Sequence, residues 1–313
     1  MISICVINKN SEKTIEQSLR SVLGQLDDNF EVVVIDESSD MSVEILEQLK
    51  KEYPSILKPF YYGRNPLGGV GLARNESIRR ASGQYCIIHI DCDDIWEPHI
   101  KDFVSVFLEI EKNYNKPFLL AGHQLNMARK DFLLSIGPYQ NVKHGEDRDL
   151  WMRLAKTNQY MPIDHVVFFE RMKLDSIVIK TKAIKRTYWS IGDEIRGGKN
   201  FQKTFLEMFQ THPHLSLVTR ISRVLFYLPA YFQNKTKSKI DQSLYFSSII
   251  DWNNYKIAKF GTFLEISKIW GFSGTLDFLH DPVAKEIFLN KRSNLSYQEI
   301  LYKLNLSKKK RKL

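Results

Sequence analysis

Short apolar runs alternate with helix-like segments over the first third of the chain, and this alternation most constrains the fold. The runs 2–7, 31–35 and 85–90 are rich in isoleucine and valine, as is typical of buried strands. Between the first two runs, apolar residues such as Ile15 and Leu19 recur at helical spacing. Repeated strand–helix units predict a mainly parallel sheet flanked by helices. We therefore expect an α/β fold.

Helix-breaking residues separate these predicted elements. Pro54 should end a helix over 43–53, and Gly83 should follow a helix that closes near residue 81. Pro59 lies inside the predicted strand 56–62. Because proline cannot donate a ladder hydrogen bond, we expect this strand at an edge of the sheet.

Polar residues follow three of the predicted strands. Asn8 and Asp36 come directly after the first two, and the segment QYCIIHIDCDD ends in Asp91, Asp93 and Asp94. In open α/β sheets, ligands bind beyond the carboxyl ends of the strands. We therefore expect these side chains to converge on one crevice.

Three carboxylates within four positions repel one another unless a cation neutralises them. Hard divalent cations such as Mg²⁺ and Mn²⁺ prefer oxygen ligands, and Mg²⁺ often combines one or two carboxylates with substrate phosphates. Asp91, Asp93 and Asp94 therefore indicate a metal site that receives a phosphorylated ligand. The alternative is a loop of solvated acids. Arg171 and Lys173 are candidates to hold phosphate, with an exposed ion pair as the alternative.

The segment HGEDRDLWMRL predicts the start of another helix. Asp147 would share one face with the apolar residues Leu150 and Leu154, so we expect its carboxylate to face inward. An acid on the buried side of a helix start is costly, although the helix dipole offsets part of the cost. Asp149 and Arg153 are four residues apart and should form an ordinary surface pair.

Charge divides the chain into two parts. Residues 1–170 carry 19 Lys and Arg against 25 Asp and Glu, whereas residues 171–313 carry 26 against 11. Such a split is typical of a neutral to acidic catalytic part and a basic part that meets an anionic surface. The basic part has no RRM, KH or zinc-finger signature, so we do not expect a nucleic-acid partner.

The three cysteines are too few and too scattered for a disulfide framework or a CxxC zinc site, and the N-terminus lacks the features of a signal peptide. We expect a cytoplasmic protein. The segment 215–232 places Arg220 and Arg223 on an otherwise apolar helix, which fits a helix lying on the inner face of the cell membrane. The alternative is a helix packed against the catalytic part or a partner.

Several segments, in order and spacing, resemble glycosyltransferase family 2, which has the GT-A fold. ISICVINKN and EVVVIDESSD resemble the family's first two strands. RNPLGGVGLARNESIRRASGQYCIIHIDCDDIW resembles its Ala-Arg-Asn helix and Asp-x-Asp-Asp motif, and HGEDRDLWMRL resembles its Glu-Asp helix. The chain departs from the family in its first turn, INKN, and at Lys173, where the family often has histidine.

The resemblance implies a GT-A nucleotide-sugar-binding and catalytic domain at residues 1–180. Residues 181–313 would be a basic, mostly helical region that contacts the acceptor, a membrane surface or a partner. Asn8 and Asp36 would line the pocket for the nucleotide base and ribose, and Arg74 would lie near the diphosphate or the donor sugar.

The resemblance also separates the clustered acids. Asp93 would bind the metal, Asp91 the ribose or the metal, and Asp94 a donor-sugar hydroxyl, while Asp147 would be the catalytic base. The implied enzyme is an inverting, Mn²⁺- or Mg²⁺-assisted transferase of the hexosyltransferase type. It would move a sugar from a nucleotide-diphosphate sugar, with UDP favoured, to a hydroxyl of a glycan, lipid-linked or protein-linked acceptor. The alternative on the same fold is a non-catalytic sugar-nucleotide-binding or scaffold protein.

Overall fold

The computed structural model describes residues 1–63, 66–141, 145–165, 167–172, 217–235 and 255–291, with shorter pieces at 188, 191–192, 195–196, 200–202 and 205. The strands are β1 (Ile2–Asn8), β2 (Phe30–Asp36), β3 (Leu57–Tyr61), β4 (Tyr85–Asp91), β5 (Asp94–Trp96), β6 (Leu119–Ala121), β7 (Asn126–Arg129), β8 (Tyr160–Pro162) and β9 (Phe168–Arg171). The helices are α1 (Ile15–Leu23), α2 (Ser42–Glu52), α3 (Val70–Arg80), α4 (Ile100–Asn113), α5 (Lys130–Ser135), α6 (Glu146–Lys156), α7 (Leu217–Asn234), α8 (Phe263–Trp270) and α9 (Pro282–Leu289).

Within these described ranges, seven strands form one sheet in the order β3-β2-β1-β4-β7-β6-β8. Strands β3, β2, β1 and β4 are mutually parallel, whereas β7 is antiparallel to both β4 and β6. The α/β prediction is confirmed. Strand β3, which contains Pro59, lies at the edge of the sheet, as its proline required.

Two apolar cores cover the two faces of this sheet, because successive strand residues point to opposite sides. Ile4 and Val6 of β1 belong to the core that includes α1 and α4, whereas Cys5 belongs to the core that includes α3 and α6. Phe263 of α8 and Phe288 of α9 are fully buried in the first core. These two helices from the C-terminal half of the sequence therefore pack on the sheet formed by the N-terminal half.

The prediction that Asp149 and Arg153 form a surface pair is wrong. Their side chains are 1% and 8% exposed, and Arg153 Nε lies 3.0 Å from Asp149 Oδ2. The guanidinium also donates to the backbone carbonyls of Ile136, Gly137 and Pro138. The loop after α5 covers this side of α6, so the pair fixes the loop to the helix. Spacing along a helix shows that two residues are neighbours but not which element packs over them.

A buried carboxylate, Glu31, ties the strands together at the amino end of the sheet. It accepts hydrogen bonds from Ser3 Oγ at 2.5 Å and Ser82 Oγ at 2.7 Å, and its Oε2 lies 2.5 Å from Lys58 Nζ. Burial raises the pKa of this carboxyl, but the hydrogen bonds from Lys58, Ser3 and Ser82 outweigh burial and lower the pKa to about 2.

We expect Glu31→Gln to lower the free energy of unfolding by about 2–3 kcal/mol at pH 7, because a charged acceptor becomes neutral among its donors. The folded pKa lies below that of the unfolded chain, so the stabilisation is present above about pH 4.5 and is lost as the pH falls towards 2. Urea unfolding at several pH values measures this. Wild type and variant should converge in acid, and an equal gap at pH 7 and pH 3 would contradict the charge-based explanation.

None of the described helices is both long enough and apolar enough to cross a membrane.

Candidate active site

The polar ends of three neighbouring strands meet at one edge of the sheet. Parallel pairing places Asn8 of β1 beside Asp36 of β2, and Ile7 of β1 beside Asp91 of β4. The carboxyl ends of β6 and β8 reach the same edge, because both strands run parallel to β4. The predicted convergence of these strand ends is therefore observed at one edge of the sheet, and their joint lining of a ligand crevice stays a prediction.

Asn8 and Asp36 are buried, and their side chains are hydrogen-bonded to each other. The Asn8 amide donates to Asp36 Oδ1 at 2.6 Å and to Ser38 Oγ at 3.0 Å, and the Ser38 hydroxyl donates to Asp36 Oδ1 at 2.7 Å. The Asp36 side chain has no exposed surface. In this arrangement it fixes the loop after β2. The predicted contact of Asp36 with a nucleotide base or ribose stays a prediction. Such a contact requires the carboxylate to give up one of these hydrogen bonds for one from the ligand.

Asp91, Asp93 and Asp94 form a compact carboxylate cluster. One ligand oxygen from each lies within 4.8 Å of those from the other two. The side chains of Asp91 and Asp93 are 27% and 29% exposed, whereas that of Asp94 is fully buried. Asp91 ends β4 and Asp94 begins β5, so the two-residue turn between these strands holds the three acids together.

Arg171 of β9 lies against all three carboxylates. Its guanidinium is 2.7 Å from Asp94 Oδ1, 3.1 Å from Asp91 Oδ2 and 3.5 Å from Asp93 Oδ1. Antiparallel pairing of β5 with β9 places Asp94 opposite Arg171. Burial raises the pKa of Asp94 to about 6 despite the opposing charge of Arg171. The ion-pair alternative for Arg171 is thus what the structure shows, while Lys173 lies outside the described residues.

The donor set fits a hard divalent cation. Every available ligand atom in the cluster is a carboxylate oxygen, which suits Mg²⁺ or Mn²⁺. Cys92 lies between the acids in sequence, but burial raises the pKa of its thiol, so it does not offer a thiolate. The partly exposed Asp93 and Asp91 would hold the ion. The buried Asp94 would stay with Arg171, so direct contact of Asp94 with a donor sugar remains a prediction.

Arg74 of α3 links this cluster to helix α6. Its Nη2 donates to Asp91 Oδ1 at 2.7 Å, and its Nε lies 3.3 Å from Glu146 Oε1. Burial disfavours the charged guanidinium, but the neighbouring Asp91 and Glu146 raise its pKa, so the side chain stays charged. A side chain on Gly71 would come within 2.6 Å of the Gln140 carbonyl oxygen. Glycine there lets α3 approach the loop before α6, so that Arg74 reaches Glu146.

Asp147 stands one residue beyond Glu146 in the first turn of α6. Gly145 precedes the helix with φ +80°, and the Asp147 side chain is 28% exposed at the edge of the face that buries Leu150 and Leu154. The expectation that Asp147 faces inward is confirmed in part. Among the described residues it faces His89, whose Nε2 lies 3.5 Å from Asp147 Oδ2.

Sequence analysis did not single out His89, which lies within the predicted strand 85–90. Its side chain is 6% exposed and its ring packs on Trp151 with centroids 5.3 Å apart. Burial, together with the nearby positive charge of Arg74, lowers the pKa of His89 to about 4. No sequence pattern signals the ring's direction, because a regular strand would alternate it away from Asp147.

A cavity of about 610 Å³ opens at the carboxyl ends of β6 and β8. Ala121 at the end of β6, Pro162 at the end of β8, and Tyr160 contribute to its wall, together with Lys256 and Phe260 from the C-terminal half. The Tyr160 ring lies 6.1 Å from the ring of Trp151. The cavity therefore lies next to the helix that carries Asp147.

Comparison with known proteins accounts for this architecture. Residues 3–121 match the model of Glycosyl transferase family 2. This part of the chain is a family 2 glycosyltransferase domain. The matched range ends with β6, so it contains Asn8, Asp36, Arg74 and the carboxylate cluster, whereas Asp147 lies beyond it.

Two curated relatives extend the comparison of the glycosyltransferase domain. An uncharacterized glycosyltransferase from Nostoc sp. is 32% identical over 34% of this chain and 32% of its own length. An Escherichia coli protein, the UDP-Glc:alpha-D-GlcNAc-diphosphoundecaprenol beta-1,3-glucosyltransferase WfgD, is 27% identical over 62% of this chain and 86% of its own length. The chain thus spans about a third of the Nostoc relative but most of the Escherichia coli one.

A solved structure confirms the GT-A fold. The mannosyltransferase PcManGT from Pyrobaculum calidifontis, in complex with GDP-Man and Mn²⁺, superimposes with a TM-score of 0.53 at 13% identity. The alignment covers 86% of this chain and 84% of that one. At this level of identity the likeness concerns the fold of the glycosyltransferase domain.

Proposed function

We propose that this protein is an inverting, metal-assisted glycosyltransferase that uses a nucleotide-diphosphate sugar. One observation carries the proposal: Arg74 joins the carboxylate cluster, through Asp91, to the start of the helix that bears Asp147. A site for a phosphate-bound cation and a candidate base thus stand on either side of one buried arginine, inside a family 2 domain.

Transfer of a sugar from a nucleotide diphosphate needs both the cation site and the base. Asp93 and Asp91 would hold a Mn²⁺ or Mg²⁺ ion, which when bound would stabilise the negative charge on the departing diphosphate. Arg74 holds Asp91 in position and keeps positive charge near the place where the phosphates would lie. Asp147 accepts the proton of the acceptor hydroxyl as that oxygen attacks the anomeric carbon. A single base on the face opposite the leaving group gives inversion.

The cavity at the carboxyl ends of β6 and β8 would hold the acceptor. Tyr160 and Phe260 provide flat walls of the kind that sugar rings pack against. The Escherichia coli relative is named for a UDP-glucose donor and a diphosphoundecaprenol-linked acceptor. We propose a UDP-sugar donor and a glycan or lipid-linked acceptor for this chain.

A thermal-shift screen with UDP-, GDP- and dTDP-sugars tests the proposal. A donor at about 100 times its Kd stabilises the fold by about 2.7 kcal/mol and should raise Tm by about 5 °C, because it binds only the folded state. The sugar nucleotide that raises Tm should then release its nucleoside diphosphate when the protein is supplied with acceptors. EDTA should remove most of the shift.

The outcomes separate two functions. Donor binding with release of product supports the transferase. Binding without turnover, across a broad panel of glycan and lipid-linked acceptors, would instead support the non-catalytic sugar-nucleotide-binding protein. Absence of any shift with any sugar nucleotide in Mn²⁺ would contradict both.

Peripheral contact with an anionic membrane is also proposed, from helix α7. Its apolar stripe, defined as Ile221, Leu225, Leu228 and Phe232, follows the spacing of one helix face, and these side chains are 46% to 67% exposed. Residues 171–313 carry 26 Lys and Arg against 11 Asp and Glu, which complements an anionic lipid surface. The sequence analysis placed Arg220 and Arg223 on this helix. Their side chains lie outside the described part of the chain.

We expect the protein to sediment with vesicles that contain anionic lipid and to stay in solution with neutral vesicles at moderate salt. The double variant Leu225→Glu and Phe232→Glu should lose about 10-fold or more of vesicle binding, because two charges enter the apolar stripe. Leu264→Glu is the matched control, since Leu264 is an exposed apolar residue on α8. Equal binding by wild type and the double variant would refute the membrane role of α7.

A further inference from the structure

Strand β4 is irregular at one point, just before the carboxylate cluster. Its pairing with β1 runs Ile4 with Ile87 and then Val6 with Ile90, so β4 contains one residue more than β1 between these pairs. This is a β-bulge. His89 lies within it and has φ +79°, a left-handed conformation that is unfavourable for a residue with a side chain.

The bulge decides where the imidazole points. It brings the ring of His89 beneath α6, against Trp151, and its Nε2 to 3.5 Å from Asp147 Oδ2. The other ring nitrogen, Nδ1, is buried without a hydrogen-bond partner among the described residues. Nε2 is thus the ring nitrogen that faces the carboxylate, and a proton on it would point at Asp147 Oδ2.

Strained backbone persists only where the surroundings enforce it, and such strain clusters at functional sites. Here glycine would adopt the same φ without strain, and a regular strand would need no bulge at all. What the strained arrangement provides is one ring nitrogen at the Asp147 carboxylate, which among the described residues also accepts a hydrogen bond from the backbone N–H of Arg148, at 2.6 Å from Oδ1.

We propose that His89 is a positioning residue for Asp147: it holds Oδ2 so that the carboxylate presents its free lone pairs to the acceptor hydroxyl. The inference rests on the proposed function and deepens it. His89 touches no substrate in this scheme and acts only through Asp147.

His89→Phe and His89→Gln form the first test. Phenylalanine keeps a ring against Trp151 but has no N–H, whereas the glutamine amide carries an N–H at a similar reach. We expect kcat to fall about 10-fold in His89→Phe with an unchanged donor KM, and His89→Gln to recover a substantial part of that loss. If His89→Phe keeps the wild-type kcat, the inference is wrong.

A matched control exists in the same chain. The pair His99 and Asp102 has the same side-chain exposures as the pair His89 and Asp147, 6% and 28%, and lies at the start of α4. His99→Phe should lower Tm by a similar amount to His89→Phe while kcat stays at the wild-type value. An equal fall of kcat in both variants would show that loss of packing, and not positioning, explains the effect.

The decisive measurement is a double-mutant cycle with Asp147→Ala. Because His89 acts only through Asp147, adding His89→Phe to Asp147→Ala should change the residual transfer rate by less than about 2-fold. A further 10-fold loss would overturn the inference. If His89→Phe does not fold, His89→Gly replaces it in the cycle, since glycine accepts φ +79°.

The same data distinguish the inference from the proposed function. A wild-type protein that binds a donor but never transfers the sugar refutes the function, and with it the positioning of a base. Full activity of Asp147→Ala refutes the base assignment. Normal dependence on Asp147 with no effect of His89 refutes the inference alone.

Discussion

Asp147→Asn should lower kcat about 10²–10⁴-fold while the donor binds almost as tightly as to wild type. The amide is close in shape to the carboxylate but cannot accept the proton of the acceptor hydroxyl, and general-base catalysis contributes about that factor. Donor affinity should survive, since Asp147 stands on α6 and the carboxylate cluster stands on the turn between β4 and β5. The measurement is kcat by product formation together with donor Kd by calorimetry in Mn²⁺.

Asp102→Asn is the matched control for this substitution. Asp102 also lies in the first turn of a helix, has a side chain 28% exposed and contacts a buried histidine at 2.8 Å. Its replacement should leave kcat unchanged. Full activity of Asp147→Asn would remove Asp147 as the base and direct attention to Glu146, which is the neighbouring buried acid whose pKa burial raises.

Asp93→Ala should remove the strengthening of donor binding by Mn²⁺. Loss of one carboxylate from a site of two ligands should weaken metal-dependent donor binding by about 100-fold, because the remaining Asp91 would hold the ion less tightly. Transfer should fall to a similar or greater extent. Titration of the UDP-sugar with and without Mn²⁺ gives two values of Kd, whose ratio should approach one in the variant.

Asp147→Asn provides the comparison for this result, since its Kd ratio should equal that of wild type. A fall of both ratios would mean that Asp147 supports the metal site, through Glu146 and Arg74. An unchanged ratio in Asp93→Ala would contradict the metal assignment and leave Arg171 as the positive group that neutralises the cluster.

The sequence predicted those parts of the fold that depend on local patterns. Apolar runs and helical spacing gave strands β1 to β4 and helices α1 to α3 to within a few positions, and Pro59 correctly placed its strand at the edge of the sheet. The convergence of Asn8, Asp36 and Asp91 also followed, because parallel strands present their carboxyl ends on one side.

Prediction failed where packing between distant segments decides the outcome. Asp149 and Arg153 were correctly expected to be neighbours, but the loop after α5 buries them. The clamp of Arg171 on the three acids depends on the antiparallel pairing of β5 with β9, which joins residues 77 positions apart. Such pairings are invisible in a single sequence.

The sequence by itself determined the sheet, its polar edge and the carboxylate cluster, because these arise from alternation, strand direction and residues adjacent in the chain. Only the tertiary structure decided that one buried arginine joins Asp91 to Glu146, and that a β-bulge turns His89 towards Asp147. Both depend on how closely α3 and α6 pack over β4. That distance is set by the fit of side chains from separate parts of the chain and not by the order of residues within any one segment.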